Sequence, residues 1–279
     1  MNESRKVSGL VNEWLASVEP RIARSTYVKY EQLARNYIVP YFDTITCKEL
    51  DNNQLHRFCS VIHQKESTSK RPLSVGNQRT IFMIMNNTLD YAYDSRILDQ
   101  RYYIRPRLAR TRRVVQVFSQ EHQRKIEDYV LHHDDECSLA VMLALFTGLR
   151  LGEICALQWE DISFETNSLY VNKTVQRLNT TNRSGDARTK LLVSHPKSAA
   201  SNRLIPLPAF LIKYLGPFPH EAEHAYVLNN EIYTPMEPRT IQYHYQKMLQ
   251  KIGVPYLNFH CLRHPYVKHT TKNISLQKQ

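Results

Sequence analysis

Apolar residues recur at helical spacing four times in the first hundred residues, with polar residues between them. The four apolar stripes are Leu10, Val11, Trp14, Leu15 and Val18; Tyr30, Leu33, Ala34, Tyr37 and Ile38; Leu55, Phe58, Cys59 and Ile62; and Ile81, Ile84, Met85, Leu89 and Ala92. Ser25 is predicted to cap the second helix, which should end at Pro40, and the fourth helix should begin near Ser74. The pattern predicts a domain of four helices over residues 1–100.

The pattern changes in the second half of the chain. Ser119 is predicted to cap a helix, and the apolar run 138–146 predicts another that ends at Gly148, with a further helix starting at 150–153. Strand-like segments follow at 169–175, 190–194 and 203–208 with a polar loop at 179–187, and helices are predicted again at 209–215 and 239–252. Residues 118–279 are therefore predicted to form a mixed domain with a small antiparallel sheet, so that the whole chain is α+β and mainly helical.

The charge balance adds a partner class to this picture. The chain has 37 Lys and Arg against 26 Asp and Glu, which leaves a formal charge of +11. Such an excess favours a polyanionic partner, and nucleic acid comes first. The sequence has no apolar run of about eighteen residues, no signal peptide and no lipidation motif, so we expect a cytoplasmic location without a membrane partner.

Between the two predicted domains lies a strongly basic stretch, the predicted linker 101–117. Its first thirteen residues, RYYIRPRLARTRR, contain six arginines, two tyrosines and one proline. Two interpretations stay open: the arginines lie along DNA phosphates, or the stretch is a solvated connector that its charge keeps extended. Candidate DNA-contacting residues are Arg105, Arg107, Arg110, Arg112 and Arg113 in this stretch, and Lys29, Arg35 and Arg79 on the N-terminal helices.

Cysteine and glycine usage excludes several kinds of site. The five cysteines form no CxxC pair, which argues against a disulfide framework and against a cysteine zinc site. Neither GxGxxG nor GxxxxGK[ST] occurs, so a glycine loop that cradles nucleotide phosphates is not expected. We therefore expect no cofactor and no metal, with side chains alone carrying any phosphate chemistry.

Three separated clusters hold the candidate chemistry. They are TGLRLGE with Arg150 and Glu153, a predicted hairpin tip with Lys197, and HCLRH with His260 and Arg263. Each guanidinium can bind two non-bridging phosphate oxygens and neutralise the charge on a pentavalent phosphorus. Lys197 can protonate a departing 5′ oxygen, and His260 can hydrogen-bond the phosphate or assist proton movement. The set suits transfer of a phosphodiester without a metal.

In this order and spacing, TGLRxGE, the PK-x-R-x-IPLP hairpin and HxLRH resemble the tyrosine recombinase family, in particular integrases of phages and conjugative transposons. The resemblance covers most of the chain and implies a SAM-like core-binding domain, a catalytic domain and site-specific recombination of duplex DNA. It implies that Arg150, Lys197, His260 and Arg263 are catalytic and that Glu153 orients the site. Intact relatives act as tetramers, so recombinase protomers are expected partners besides double-stranded DNA.

Other interpretations of the same residues stay open. Arg150 is alternatively a helix-surface salt-bridge partner of Glu153, and His260 is alternatively a buried core histidine. Lys197 is alternatively a solvated hairpin lysine, with Lys173 and Lys190 as competitors for its role.

The nucleophilic tyrosine of the family, which forms a 3′-phosphotyrosyl link, has no clear counterpart. Tyr266 is the only tyrosine among the sixteen residues after Arg263 and lies too early to match, and Pro265 disfavours a continuing helix. We expect a truncated or altered C-terminus, with Tyr266 a packing or surface residue. Two hypotheses follow: a recombinase that takes a tyrosine from an intact protomer, or a DNA-binding remnant that occupies recombination sites without cutting. A third, a basic helical transcription regulator, would not require Arg150, Lys197 and Arg263 to converge.

Overall fold

The structure is a computed structural model, and it describes residues 5–66, 72–108, 116–179, 189–194, 202–218 and 222–263. The described residues up to 108 form one compact unit, and those at 116–178 and beyond 188 form a second. Each unit has its own hydrophobic core. The boundaries that the sequence predicts for the domains and the linker stay a prediction.

The first unit is helical, and its four predicted helices are confirmed. Its helices are α1 (Val7–Val18), α2 (Arg24–Leu33), α3 (Val39–Phe42), α4 (Asn52–Gln64) and α5 (Val75–Asp94). The apolar stripes meet in one core, in which Phe42, Phe58 and Phe82 lie against one another with ring centroids 5.0–6.1 Å apart. Ser74 caps α5 as predicted, because its hydroxyl accepts a hydrogen bond from the Asn77 backbone N–H (3.2 Å).

Two details of the predicted second helix are wrong. The chain does not leave the helix at Pro40: residues Ala34–Ile38 form a wider π-helical turn, and α3 continues from it. Pro40 occupies the first turn of α3, where its missing N–H and fixed φ are tolerated. Ser25 does not cap α2, because the helix begins one residue earlier and Ala23 occupies the cap position without a side-chain hydrogen bond.

The beginning of the basic stretch, residues 101–108, packs on the helices of the first unit. Asn86 of α5 donates to the Ile104 carbonyl (3.0 Å) and accepts from the Ile104 N–H (2.8 Å), and Ile104 is buried. The Tyr102 hydroxyl donates to the Leu50 carbonyl (2.6 Å). These contacts anchor residues 101–108 on the first unit, while Arg105 and Arg107 stay exposed, and both interpretations of the basic stretch stay open.

The second unit combines helices with short strands, as predicted. Its helices are α6 (Gln120–Leu131), α7 (Glu136–Thr147), α8 (Leu151–Ala156), α9 (Ala209–Leu215) and α10 (Pro238–Lys251), with 3₁₀ turns at Trp159–Asp161 and Phe259–Leu262. Its strands are β1 (Ile162–Ser163), β2 (Ser168–Val171), β3 (Thr174–Asn179), β4 (Thr189–Ser194) and β5 (Arg203–Pro206). Ser119 caps α6 as predicted.

A three-stranded antiparallel sheet places β2 between β1 and β5, with Leu169 opposite both Ile162 and Ile205. β3 pairs with β4 in a separate two-stranded sheet. The predicted strand 169–175 is therefore two strands, interrupted at residues 172–173, and most of the predicted loop 179–187 lies outside the described residues. Strand β5 pairs with β2 although β3 and β4 lie between them in the sequence. This pairing brings Arg203 near α8.

Helix α7 lies at the centre of the second core. Nearly every one of its residues from Cys137 to Leu145 is buried, so it has no polar face. Asp135 caps it by accepting hydrogen bonds from the backbone N–H groups of Cys137 and Ser138 (2.9 and 3.0 Å). Among the described helices, none has both the length and the apolar character needed to cross a bilayer.

Candidate active site

The turn between α7 and α8 begins the site. Gly148 ends α7 with φ +64°, a left-handed conformation that favours glycine, and its N–H donates to the Ala144 carbonyl (3.1 Å). The buried Thr147 hydroxyl accepts from the Leu149 N–H (3.3 Å), which holds the chain as it leaves the helix. The turn is therefore fixed by backbone bonds before the reactive side chains are considered.

Arg150 occupies the N-cap position of α8, and Glu153 lies one turn into the helix. The Glu153 carboxylate accepts from the Arg150 backbone N–H (2.8 Å) and from its guanidinium Nη1 (2.8 Å). Glu153 is only 5% exposed, whereas the Arg150 side chain is 57% exposed. Glu153 therefore binds both the backbone N–H and the guanidinium of Arg150, while more than half of the Arg150 side chain is exposed to solvent.

Gly152 allows α8 to approach β3 closely. A Cβ added at this position would lie 2.6 Å from the Val175 carbonyl oxygen and 2.7 Å from the Thr174 hydroxyl. Real Cβ atoms do not tolerate such distances, so only glycine fits here without a shift of the backbone. Both glycines of TGLRLGE therefore have a structural role: Gly148 ends α7, and Gly152 permits close packing of α8 on β3.

Arg203, at the start of β5, is a site residue that the sequence analysis missed. Its guanidinium donates to both oxygens of Glu153, at 3.2 Å from Nη1 to Oε1 and 2.8 Å from Nη2 to Oε2. This bidentate geometry is the strongest form of arginine–carboxylate pairing. In the sequence Arg203 is only an arginine at the start of the predicted strand 203–208, and nothing local points to its partner.

Opposing effects set the pKa of Glu153. Burial acts to raise it, but hydrogen bonds from Arg203 and Arg150 act against burial and lower the pKa below its ordinary value. The carboxylate is therefore ionised near neutral pH although it lies in the interior.

Arg263 reaches this cluster from a distant part of the chain. Its Nε donates to the Gly148 carbonyl (2.5 Å), 115 residues earlier, and the side chain is half-buried. Burial lowers the pKa of Arg263, and the neighbouring charges of Arg150 and Arg203 lower it further, whereas Glu153 raises it. Arg150 and Arg203 both hydrogen-bond Glu153, and Arg263 binds the carbonyl two residues before Arg150, so the site has an excess of positive charge.

His260 lies in the 3₁₀ turn Phe259–Leu262, and Arg263, three residues later, occupies the C-cap position of that turn. Residues at this spacing share a face of a 3₁₀ helix. Asn258 caps the turn by accepting from the His260 backbone N–H (2.9 Å). His260 is exposed, so the alternative of a buried core histidine is wrong.

Comparison with protein families decides the assignment of this fold and cluster. Residues 116–273, more than half of the chain, match the model of the phage integrase family, and residues 6–61 match the N-terminal SAM-like domain of phage integrases. The chain belongs to the phage integrase family. The SAM-like match lies within the helical first unit, and the longer match includes Arg150, Glu153, Arg203 and Arg263.

Relatives and solved structures agree with this membership. A XerC-like tyrosine recombinase of Caldanaerobacter subterraneus subsp. tengcongensis is 26% identical over 92% of this integrase-family chain and 70% of its own length. XerA of Thermococcus onnurineus is 26% identical over 56% of this chain, which covers under half (48%) of that relative.

Two solved structures share the fold. The integrase of transposon Tn1549 in complex with a circular intermediate DNA has a TM-score of 0.74 at 13% identity, over 97% of this chain and 88% of its own. A lambda integrase tetramer bound to a Holliday junction has a TM-score of 0.67 at 14% identity, over 95% of this chain and 73% of its own. At these identities the likeness establishes the fold of the integrase-family chain.

The hairpin lysine of the integrase-family chain, Lys197, lies outside the described residues. Of its two competitors, Lys173 is engaged elsewhere: its Nζ is 2.9 Å from Glu160 and 3.5 Å from Asp161, and it also donates to Gln158. Its side chain is largely covered. These ion pairs argue against Lys173 as the proton donor, and the assignment to Lys197 stays a prediction.

The predicted DNA-contacting residues of this integrase-family chain fall into two groups. Lys29, Arg35, Arg79, Arg105 and Arg107 are all exposed in the first unit. Arg110, Arg112 and Arg113, as well as Tyr266, lie outside the described residues. Their predicted roles are therefore untested by the described contacts.

The candidate metal ligands of the chain are its His, Cys, Asp and Glu side chains. Within the described ranges, no cluster of three or more His, Cys, Asp or Glu side chains is arranged to hold a metal ion. The five cysteines are all free thiols, and burial raises the pKa of Cys137 and of Cys155 to about 12. These two thiols are therefore protonated and fill space in the core.

Proposed function

We propose that this chain is a tyrosine-type site-specific DNA recombinase, which binds duplex DNA and breaks and rejoins its strands through a phosphotyrosyl intermediate. The observation that carries the proposal is the convergence of Arg150 and Arg263 around Glu153, in a chain that belongs to the phage integrase family. A DNA substrate and five free cysteines fit a cytoplasmic setting.

The residues of the site divide the work of phosphoryl transfer. Arg150 and Arg263 bind non-bridging oxygens of one phosphate and stabilise the added negative charge at pentavalent phosphorus. A tyrosine oxygen attacks the phosphorus as its proton passes to His260 or to water, the bond to the 5′ oxygen breaks, and Lys197 donates a proton to that oxygen. His260 hydrogen-bonds the phosphate, and Glu153 fixes Arg150. Rejoining is the reverse, with the 5′ hydroxyl as nucleophile.

A second candidate function is occupation of recombination sites without cleavage. In this candidate Tyr266, which follows Arg263 by three residues, does not attack the DNA. In this case the arginines still bind a DNA phosphate, and cleavage requires a tyrosine from another recombinase protomer. Both candidates share the DNA contacts and differ in the covalent step.

DNA affinity is expected to fall steeply with salt, on the order of a thousandfold between about 50 and 200 mM for six or more phosphate contacts. Fluorescence anisotropy with a mixed-sequence duplex measures this slope. Replacing Arg105 and Arg107 together by glutamine should reduce the slope by about two. Arg101→Gln is the matched control, because its charge is already paired with Asp94 (3.2 Å) and its loss should matter less.

A cleavage assay with the same protein distinguishes the two candidate functions. A nicked half-site, chosen by selection from random duplexes, traps any covalent protein–DNA product because the cleaved flank diffuses away. The proposed function predicts a covalent protein–DNA product, and the second candidate predicts bound DNA without one. A strong covalent band that Tyr266→Phe abolishes would overturn the second candidate, and a salt-independent affinity would overturn the proposed function itself.

A further inference from the structure

The buried Glu153 carboxylate has more cationic neighbours than its charge requires. Its Oε1 accepts from Arg150 (2.8 Å) and Arg203 (3.2 Å), and its Oε2 accepts from the Arg150 backbone N–H (2.8 Å) and from Arg203 (2.8 Å). A carboxylate has about four acceptor positions, so this one is saturated. Arg263 adds a third positive charge nearby.

The two arginines that bind Glu153 differ in exposure. Arg203 is 29% exposed and uses both terminal nitrogens on the carboxylate, whereas Arg150 is 57% exposed and uses one. Arg203 therefore provides most of the compensation for the buried negative charge. Arg150 is left with donors directed away from the carboxylate and toward solvent.

We propose that Arg203 is a positioning residue that balances the charge of Glu153 and so keeps the guanidinium of Arg150 available for a DNA phosphate. The inference rests on the proposed function and assigns a role to a residue that does not itself touch the reacting phosphate. Without Arg203, the buried carboxylate draws Arg150 inward as its main partner, since an uncompensated buried charge is strongly unfavourable. Arg263 is held separately by the Gly148 carbonyl and does not replace it.

The test is a mutational cycle read by the salt dependence of binding to a mixed-sequence duplex. Arg150→Met should lower the slope of log K against log salt by about one, the loss of one phosphate contact. Arg203→Met should lower it by the same amount, and adding Arg150→Met to Arg203→Met should change it little further. Glu153→Gln in the Arg203→Met background should restore the wild-type slope, because Arg150 is then released.

Matched controls separate this effect from the loss of one charge. Arg177 and Glu237 form a comparable pair in the same unit, with Arg177 Nε 2.7 Å from the carboxylate. Arg177→Met, alone or with Glu237→Gln, should leave the slope near that of the wild type. Arg203→Lys, which keeps the charge, should retain most of the wild-type slope. If Arg203 contacted DNA directly, its loss and that of Arg150 would add, and Glu153→Gln would restore nothing; either result overturns the inference.

A second readout tests the charge balance without DNA. The groups that face Glu153 are Arg150, Arg203 and Arg263, and Lys173 and Asp161 line a shallow cleft beside it. Carboxyl NMR of Arg203→Met should show a raised pKa of Glu153, and an unchanged pKa would overturn the inference. If Arg203→Met does not fold, the Glu153→Gln/Arg203→Met chain replaces it, and there Arg150→Met must again cost a slope of about one. Salt-independent binding by the wild type would instead refute the proposed function.

Discussion

Replacing Glu153 by alanine is expected to lower the free energy of unfolding by about 2–4 kcal/mol. The change removes the carboxylate that accepts from the Arg150 backbone N–H at the start of α8. It also removes the bidentate hydrogen bonds of the partly buried Arg203 guanidinium to that carboxylate. The lost carboxylate is also the one that pairs with the Arg150 guanidinium and that raises the pKa of Arg263. Denaturant unfolding followed by circular dichroism measures the difference.

Glu165→Ala is the matched control, because Glu165 is an exposed glutamate of the same unit, and its loss should change stability by less than about 0.5 kcal/mol. The effect at Glu153 should also depend on pH. Its pKa is lowered in the folded state, so its contribution is present above the unfolded pKa of about 4.3 and is lost as the pH falls through the folded pKa. Equal stability of the two variants at neutral pH would contradict the account of the cluster.

Gly152→Ala is expected to destabilise the second unit by about 1–3 kcal/mol through overpacking. The added methyl would meet the Val175 carbonyl at 2.6 Å, and a backbone oxygen cannot rotate away as a side chain can. Relief requires α8 to move from β3, which displaces Arg150 and Glu153 at its first turn. Thermal unfolding gives the loss of stability, and duplex binding gives the displacement of Arg150.

Gly9→Ala in α1 is the control for the glycine-to-alanine change itself. A Cβ at Gly9 has no neighbouring atom within 4 Å, and alanine favours helices over glycine. This variant should be as stable as the wild type or gain up to about 1 kcal/mol. A Gly152→Ala chain that also gained stability would show that α8 and β3 are not in the close contact described.

Much of the fold follows from periodicity. The apolar stripes of α1, α4 and α5 and the uniformly apolar α7 are local patterns, and the structure confirms the helices they predict. Gly148 was recognised as a helix end because a left-handed residue is a local requirement. Helix ends that depend on neighbouring turns were harder to predict. The π turn Ala34–Ile38 lets the helical chain continue through Pro40, where a proline normally ends a helix.

The candidate site was only partly accessible to the sequence. Motif spacing identified Arg150, Glu153 and Arg263, and the structure brings these three together. Arg203 was missed because its partner is set by the pairing of β2 with β5, a long-range contact that no local pattern encodes. For the same reason the sequence did not show that Ile104, in the predicted linker 101–117, is hydrogen-bonded to Asn86 of α5.

We propose that Arg150 and Arg263 together bind one backbone phosphate. A crystal structure of the chain on duplex DNA tests this proposal. We expect one phosphate within hydrogen-bonding distance of both Arg150 and Arg263, with Lys197 and His260 beside it. DNA whose phosphates bind Arg150 and Arg263 separately, or that contacts neither residue, would contradict it.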